Sequence, residues 1–366
     1  MGISEKIHEL EEEIRKTQKN KATEYHIGLL KAKIAKLRRN FLENIKAGGS
    51  GDGGGGYAFD VKKSGDATVA IIGFPSVGKS TLLGKITNAE SKTAAYAFTT
   101  LTCIPGMLEY KGAKIQILDL PGILEGAKDG RGRGREVIAV ARGTDLILLM
   151  LDARHPEHYN IIIEELSGMG IRMNQYAPDI VIKKSLRGGL VINHTVKLNK
   201  IDMRTISSIL NEYGIHNGDI IIRSDIDADQ LIDALEGNRV YVPAITVMNK
   251  IDLVSESELR KKFQFPYIAI SAEKEENLEC IVDAIYRALK FIRIYTKPQS
   301  EKADLKEPLI IRENTNIKKV CGMLHRNLVK NFKYALIWGK SVKHPGQRVG
   351  IEHVLQDGDV ISIIKK

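Results

Sequence analysis

The stretch Gly73-Phe74-Pro75-Ser76-Val77-Gly78-Lys79-Ser80-Thr81 decides how this chain is read. It follows a short apolar run, Val69–Ile72, and precedes a helix-prone segment, Leu82–Ile86. The order is strand, glycine-bearing loop, helix, with the spacing G-x-x-x-x-G-K-S. A loop that turns into a helix N-terminus aims several backbone N–H groups at one point. The helix dipole adds partial positive charge there. Gly73 and Gly78 let the backbone approach a phosphate with no Cβ in the way. Lys79 can reach the outer phosphates, and the Ser80 hydroxyl can ligate Mg²⁺.

Working outward, Phe98-Thr99-Thr100 sits in a polar, turn-prone segment. A nucleotide switch needs a threonine whose hydroxyl ligates Mg²⁺ and whose N–H meets the γ-phosphate. Thr100 is the first choice and Thr99 the alternative. Ile115–Leu118 reads as a strand that ends in Asp119-Leu120-Pro121-Gly122. A carboxylate at such a strand end can hold Mg²⁺ through water, and Gly122 can offer its N–H to the γ-phosphate. Asn249-Lys250-Ile251-Asp252 follows the apolar run Val242–Met248. Asp252 can accept two hydrogen bonds from the N1–H and N2–H₂ edge of guanine. Adenine lacks those donors and would leave a carboxylate unpaired. Further on, Tyr267–Ile270 reads as a strand leading to Ser271-Ala272, whose backbone N–H can meet guanine O6. The same four letters recur at Asn199-Lys200-Ile201-Asp202, after a poorer strand and with no Ser-Ala pair at a suitable distance. That copy is assigned no nucleotide role.

The 366 residues suggest two or three domains, and 43% hydrophobic with 27% charged residues describe a globular chain. No apolar run approaches the roughly 18 residues of a membrane span, and no secretory leader is read at the start. The cysteines Cys103, Cys280 and Cys321 follow no metal-ligand spacing and are expected to be reduced, buried thiols of a cytoplasmic protein. The net charge of +10 sits at the two ends. Residues 1–46 hold 11 Lys/Arg against seven Asp/Glu, and residues 292–366 hold 15 against seven, so the middle is slightly acidic. Basic appendages around a neutral core suggest contact with a polyanion such as RNA.

Five segments are expected. Residues 1–47 form a helical region, with Ile7, Leu10 and Ile14 on one stripe and Leu30, Ile34, Leu37, Phe41 and Ile45 on another. Arg38 and Arg39 are expected on its solvent face. Residues 48–60 form a glycine-rich tether. Residues 61–170 and 237–291 form the nucleotide-binding domain, with Asp145–Leu151 as a buried parallel strand. Residues 171–236 form an inserted α+β domain. Residues 292–366 form a small sheet holding one helix, Asn316–Lys330. His325, His344 and His353 in that last segment do not have metal-binding spacing.

With these residues in view, the chain closely resembles the developmentally regulated GTP-binding protein family of Obg-like GTPases. The resemblance is carried by Gly73–Leu83, Phe98–Gly106, Asp119–Arg135, Asn249–Asp252 and His344–Ile363. The last of these looks like a TGS domain, a ubiquitin-like β-grasp module linked to RNA and ribosome contact. The resemblance implies a fold: a doubly wound P-loop GTPase sheet with a helical N-terminal hairpin, the inserted α+β domain and the C-terminal β-grasp domain. It also implies GTP hydrolysis, Mg²⁺ dependence, ribosome association and, in eukaryotes, a dedicated stabilising partner. The free protein is expected to be a monomer.

In the implied chemistry, water attacks the γ-phosphate while Lys79, Thr100 and Gly122 stabilise the developing charge. Ile123 follows Gly122, where many switch GTPases place a water-orienting Gln, so a slow intrinsic rate is expected. Some relatives hold K⁺, a further candidate cation, through an Asn of the phosphate loop; Ser76 stands in that place here, which argues against its use. Arg131, Arg133 and Arg135 are expected on a mobile, solvated loop of the free protein; the functional alternative is that they meet RNA phosphate or the γ-phosphate when that loop orders. The rival reading is a nucleotide-dependent protein scaffold whose hydrolysis is incidental.

Overall fold

The structure is a computed structural model that describes residues 3–18, 20, 23–47, 64–87, 104–121, 140–255, 258, 263, 265–297, 305 and 307–365. Phe98, Thr99, Thr100, Gly122, Ile123, Arg131, Arg133, Arg135, Cys103 and the tether lie outside the described residues. The chain divides into two compact units, residues 1–56 with 166–241 and residues 57–165 with 242–366.

The second unit is built on a six-stranded sheet. Its strands are β1 (Ala67–Ile72), β2 (Ile104–Tyr110), β3 (Ala113–Asp119), β4 (Leu146–Asp152), β10 (Ala244–Asn249) and β11 (Ile268–Ala269), in the order β11-β10-β4-β1-β3-β2. All pairs are parallel except the edge pair of β2 with β3. β1 and β4 are buried at every position. Helices cover both faces of such a sheet, so its central strands become unbroken apolar runs instead of alternating ones. The crossover helices begin with α3 (Lys79–Ile86) after β1 and α4 (His158–Gly168) after β4. α7 (Leu278–Ala288) follows β11 and seats Ile281 and Ile285 in the same core as Val69, Ile71 and Leu148.

Two departures from the sequence reading have local causes. The run Val242–Met248 is not one strand: β9 (Val240–Val242) stops at Pro243 and β10 starts after it. A proline has no N–H to give a ladder, while its carbonyl accepts from Ile147 N at 3.0 Å. Ile104–Tyr110 carried no strand signal in the sequence, yet as β2 it pairs along its whole length with β3, from Ile104 opposite Asp119 to Tyr110 opposite Ala113.

The C-terminal module belongs to the same unit. Its five-stranded sheet has the order β13-β12-β16-β14-β15, from β12 (Phe291–Thr296), β13 (Leu309–Arg312), β14 (Phe332–Trp338), β15 (Gln347–Val349) and β16 (Val360–Lys365). β12 was not read as a strand in the sequence, although it is the sheet's link to the nucleotide core. The expected single helix is two, α8 (Ile317–Leu324) and α9 (Arg326–Lys330), because His325 adopts an extended backbone between them. Ile317, Val320 and Cys321 of α8 pack on Ile294, Ile337 and Ile361. Phe291 and Ile310, in contrast, face the nucleotide core and pack in its cluster. Arg312 Nη2 donates to Asp145 Oδ1 at 2.6 Å, while Asp145 Oδ2 accepts from Thr68 N at 2.9 Å.

The first unit joins the N-terminal helices α1 (Ile3–Lys16) and α2 (Glu24–Ala47) to the inserted module. That module has a three-stranded sheet of β6 (Ile180–Lys184), β8 (Gly218–Ile222) and β7 (Leu190–His194), in that order, with α5 (Met203–Glu212) and α6 (Ala228–Glu236). β5 (Ile171–Met173) pairs with β9 at its base. Ala32 of α2 lies in one cluster with Ile206, Ile209 and Leu231 of the module. Gly28 allows this approach, since a Cβ there would meet Thr205 Cγ2 at 3.0 Å. The expectation that Arg38 and Arg39 face solvent is overturned. Arg38 pairs with Glu11 at 2.5 Å, and Arg39 lies 3.8 Å from Glu236, whose side chain is fully buried. Lys31 pairs with Asp229 at 2.5 Å. These three N-terminal cations are thus paired within the unit. Cys321 is buried as expected, but Cys280 is exposed.

Candidate nucleotide-binding site

Four parallel strands end at one edge of the six-stranded sheet, and each delivers one part of a site. In an open α/β sheet that edge is where ligands bind. β1 ends at Ile72 and runs into the phosphate loop. β3 ends at Asp119, opposite Ile71, and β10 ends at Asn249, opposite Asp152 of β4.

The loop has the conformation its glycines permit. Gly78 has φ +95°, and a Cβ on it would run into Asn249 Nδ2, while one on Gly73 would run into the Met150 carbonyl. Ser76 also adopts a positive φ, 63°. Pro75 and Ser76 are exposed at the loop's crest, Val77 is buried under it, and Thr81 is exposed on the first turn of α3. Lys79 is 8% exposed. Its Nζ donates to Phe74 O at 3.0 Å and Gly73 O at 3.3 Å. Burial pulls its pKa down, and Asp119 pulls it partly back. A buried ammonium whose hydrogen bonds, among the described residues, go to two carbonyls is poised to turn to an anion. Changing Gly78 to alanine should strain the loop and displace Asn249. We expect nucleotide affinity to fall on the order of tenfold to a hundredfold, measured by titration calorimetry.

Ser80 and Asp119 meet at the head of α3. Ser80 Oγ donates to Asp119 Oδ2 at 2.5 Å. Asp119 Oδ1 is buried with no hydrogen-bond partner among the described residues. A hydroxyl and a carboxylate with an unmatched oxygen, beside a phosphate cradle, fit the donor set of a hydrated Mg²⁺. Leu120, next in chain, is fully buried, and Pro121 is half-buried.

Asn249 ties two loops together. Its Nδ2 donates to Val77 O at 2.8 Å, and its Oδ1 accepts from Ala272 N at 2.9 Å. Ser271 is fully buried beside it and its Oγ accepts from Lys274 N at 3.2 Å. Lys250, at φ 64°, donates through Nζ to Ser76 O at 2.7 Å and to Asp152 Oδ2 at 2.9 Å. Asp252 stands in a single 3₁₀ turn, its side chain 14% exposed, with Lys274 Nζ 3.9 Å away.

Asp152 was missed in the sequence. It closes the apolar strand β4, is 4% exposed and takes Arg154 in a two-pronged pair at 3.0 and 2.6 Å. Although burial opposes ionisation, Arg154 and Lys250 together hold its carboxyl well below the usual carboxylate range. The available signal was its place: an acid ending a wholly apolar strand at the ligand-binding edge of the sheet. The second copy of the four-letter motif serves packing. Asp202 caps α5 by accepting from Thr205 N at 2.6 Å, and Asn199 N donates to Asp225 Oδ1 at 2.9 Å.

Known proteins are similar to this chain over its whole length. A family model described as a 50S ribosome-binding GTPase matches residues 68–184, its C-terminal region model matches 187–291, and a TGS domain model matches 292–365. A developmentally-regulated GTP-binding protein 1 homolog of Dictyostelium discoideum is 51% identical over 372 residues, spanning all of both chains. The chain belongs to the developmentally regulated GTP-binding protein family. Human developmentally-regulated GTP-binding protein 2 is 49% identical over the full length of both chains. An uncharacterized GTP-binding protein of Methanocaldococcus jannaschii is 54% identical, over all of this chain and 94% of that one. The family's P-loop GTPase domain and C-terminal TGS domain therefore correspond to the six-stranded and five-stranded sheets of the second unit. No helix among the described residues is long and apolar enough to cross a membrane.

Proposed function

We propose that the protein binds GTP and GDP with Mg²⁺, hydrolyses GTP slowly, and uses the exchange to control docking of its basic modules on ribosomal RNA. The observation that carries the reading is Asn249, which fastens the phosphate loop to the Ser271-Ala272 turn. Gly73 to Thr81 would cradle the phosphates through backbone N–H groups, with Lys79 on the β- and γ-phosphates. Ser80 and Thr100 would hold Mg²⁺ directly and Asp119 through water. Mg²⁺ supplies positive charge to the phosphate oxygens. Phe98 and Thr99 would flank that contact, and Gly122, after Leu120 and Pro121, would give its N–H to the γ-phosphate. Asp252 would select guanine and Ala272 N would meet its O6, sharing the proton it gives Asn249. The five-segment division above is part of the same proposal, as are a monomeric free state, a cytoplasmic location and, in a eukaryotic source, a stabilising partner protein.

Titration calorimetry with GTP and ATP tests the reading. Binding of GTP at least a hundredfold tighter than ATP supports it, and equal binding rejects it. Because Ile123 cannot orient water by a hydrogen bond, single-turnover hydrolysis by the isolated protein should be slow. Ribosomes, or K⁺ in place of Na⁺ at equal ionic strength, are the candidate accelerators. Changing Arg131, Arg133 and Arg135 together to alanine should cut the ribosome-stimulated rate about tenfold or more and leave the basal rate intact. An unchanged stimulated rate removes the arginines from the mechanism. RNA docking through several phosphates also predicts a steep loss of ribosome binding with salt, which a protein-only scaffold would not show.

A further inference from the structure

We propose a transition-metal site at His155-Pro156-Glu157-His158, in the turn between β4 and α4. One ligand atom from each of His155, Glu157 and His158 lies within 4.8 Å of the other two. The turn is fixed by its own backbone: His155 N donates to Asp152 O at 2.9 Å and Tyr159 N to Pro156 O at 3.2 Å. It therefore presents its side chains from one short, ordered stretch. His155 Nδ1 lies 3.0 Å from Glu157 Oε1. The two imidazole rings stack with centroids 5.1 Å apart and 19° between planes.

Two features set this cluster apart from ordinary surface histidines. First, His158 Nδ1 is buried and has no hydrogen-bond partner among the described residues. A buried ring nitrogen without a partner costs stability that a ligand would recover. Second, the stacking sets two imidazoles side by side on one turn, and imidazole is the commonest metal ligand among side chains. Two imidazoles and one carboxylate match the preference of borderline ions such as Zn²⁺ or Co²⁺, and not that of Mg²⁺. A tetrahedral ion with ligands about 2.1 Å away holds them about 3.4 Å apart, so the cluster must tighten. His155 and Glu157 are 51% and 58% exposed, so no packing opposes their turning inward. Three protein ligands leave the fourth position to water.

The site touches the phosphate loop through one ring. Phe74 stacks on His158 at 4.1 Å and 29°. A bound ion would thus brace the β4–α4 turn against the loop that holds Lys79. The proposal stands apart from the nucleotide reading, since none of its ligands belongs to that site.

The test is calorimetric titration of the metal-stripped full chain with Zn²⁺ alone, followed by Co²⁺ spectroscopy. One ion per chain is expected. His155→Ala and Glu157→Gln should each weaken it about tenfold to a hundredfold, while His344→Ala leaves it unchanged. Both substitutions are at exposed positions, and unaltered GTP affinity of the stripped variants would certify their fold. The Co²⁺ form should show no thiolate charge-transfer band, which excludes the exposed Cys280. Stoichiometric binding that survives both substitutions, a thiolate band, or no binding at all would overturn the proposal.

Discussion

Asp252→Asn is expected to lower GTP affinity by about a hundredfold and to raise affinity for xanthosine triphosphate. The carboxylate would accept two hydrogen bonds from the guanine edge. Hydrogen bonds to a charged group contribute about 1.5–3 kcal/mol each. The amide keeps one acceptor and turns a donor towards the guanine amino group, so at least one bond is lost and one repulsion gained. A loss of about 3 kcal/mol corresponds to roughly a hundredfold. Xanthine carries an oxygen in place of that amino group and restores the match. Among the described residues Asp252 has Lys274 as its ion-pair partner, at 3.9 Å. Competition of the variant between the two nucleotides, read by calorimetry, checks the result. Unchanged preference for guanine would remove Asp252 from the base pocket.

Lys79→Ala should abolish measurable GTP binding and hydrolysis. The ammonium is held in the loop by two carbonyls, from Gly73 and Phe74. Burial disfavours its charge there. A triphosphate would supply the counter-charge, and the contact would bring two charge-assisted bonds, together worth on the order of 10³-fold in affinity. The same reasoning gives an unusual stability signature. Removing the lysine takes away a charge that burial opposes, so the nucleotide-free variant should melt no lower than the parent. What should vanish is the rise in melting temperature on adding GTP. A variant that still gains stability from GTP would contradict the cradle as described.

Periodicity and motif context made the nucleotide core legible before any coordinates. Val69–Ile72 and Asp145–Leu151 are apolar without interruption because both faces of their sheet are covered. Asp252 and the second copy at Asp202 differ only in surroundings, and the surroundings decided between them. Other features depend on partners far along the chain. β12 owes its strand to pairing with β13 and β16, and β2 to β3. Arg39 looks like any surface arginine until Glu236, almost 200 positions later, is brought beside it. Asp152 acquires its place from Lys250 and Arg154 together. The roles given to Thr100, Gly122 and the three arginines rest on sequence alone, since they lie outside the described residues.

The C-terminal β-grasp sheet is no detachable passenger. Phe291 and Ile310 are wedged into the nucleotide core, and Arg312 grips the acid that also anchors the first residues of β1. Cutting the chain after residue 290 would bare greasy surface at the foot of the sheet, so a shortened protein should clump instead of reporting on the nucleotide pocket. A force exerted on that module by a docked partner would be delivered straight to the root of the strand whose other end carries the phosphate loop.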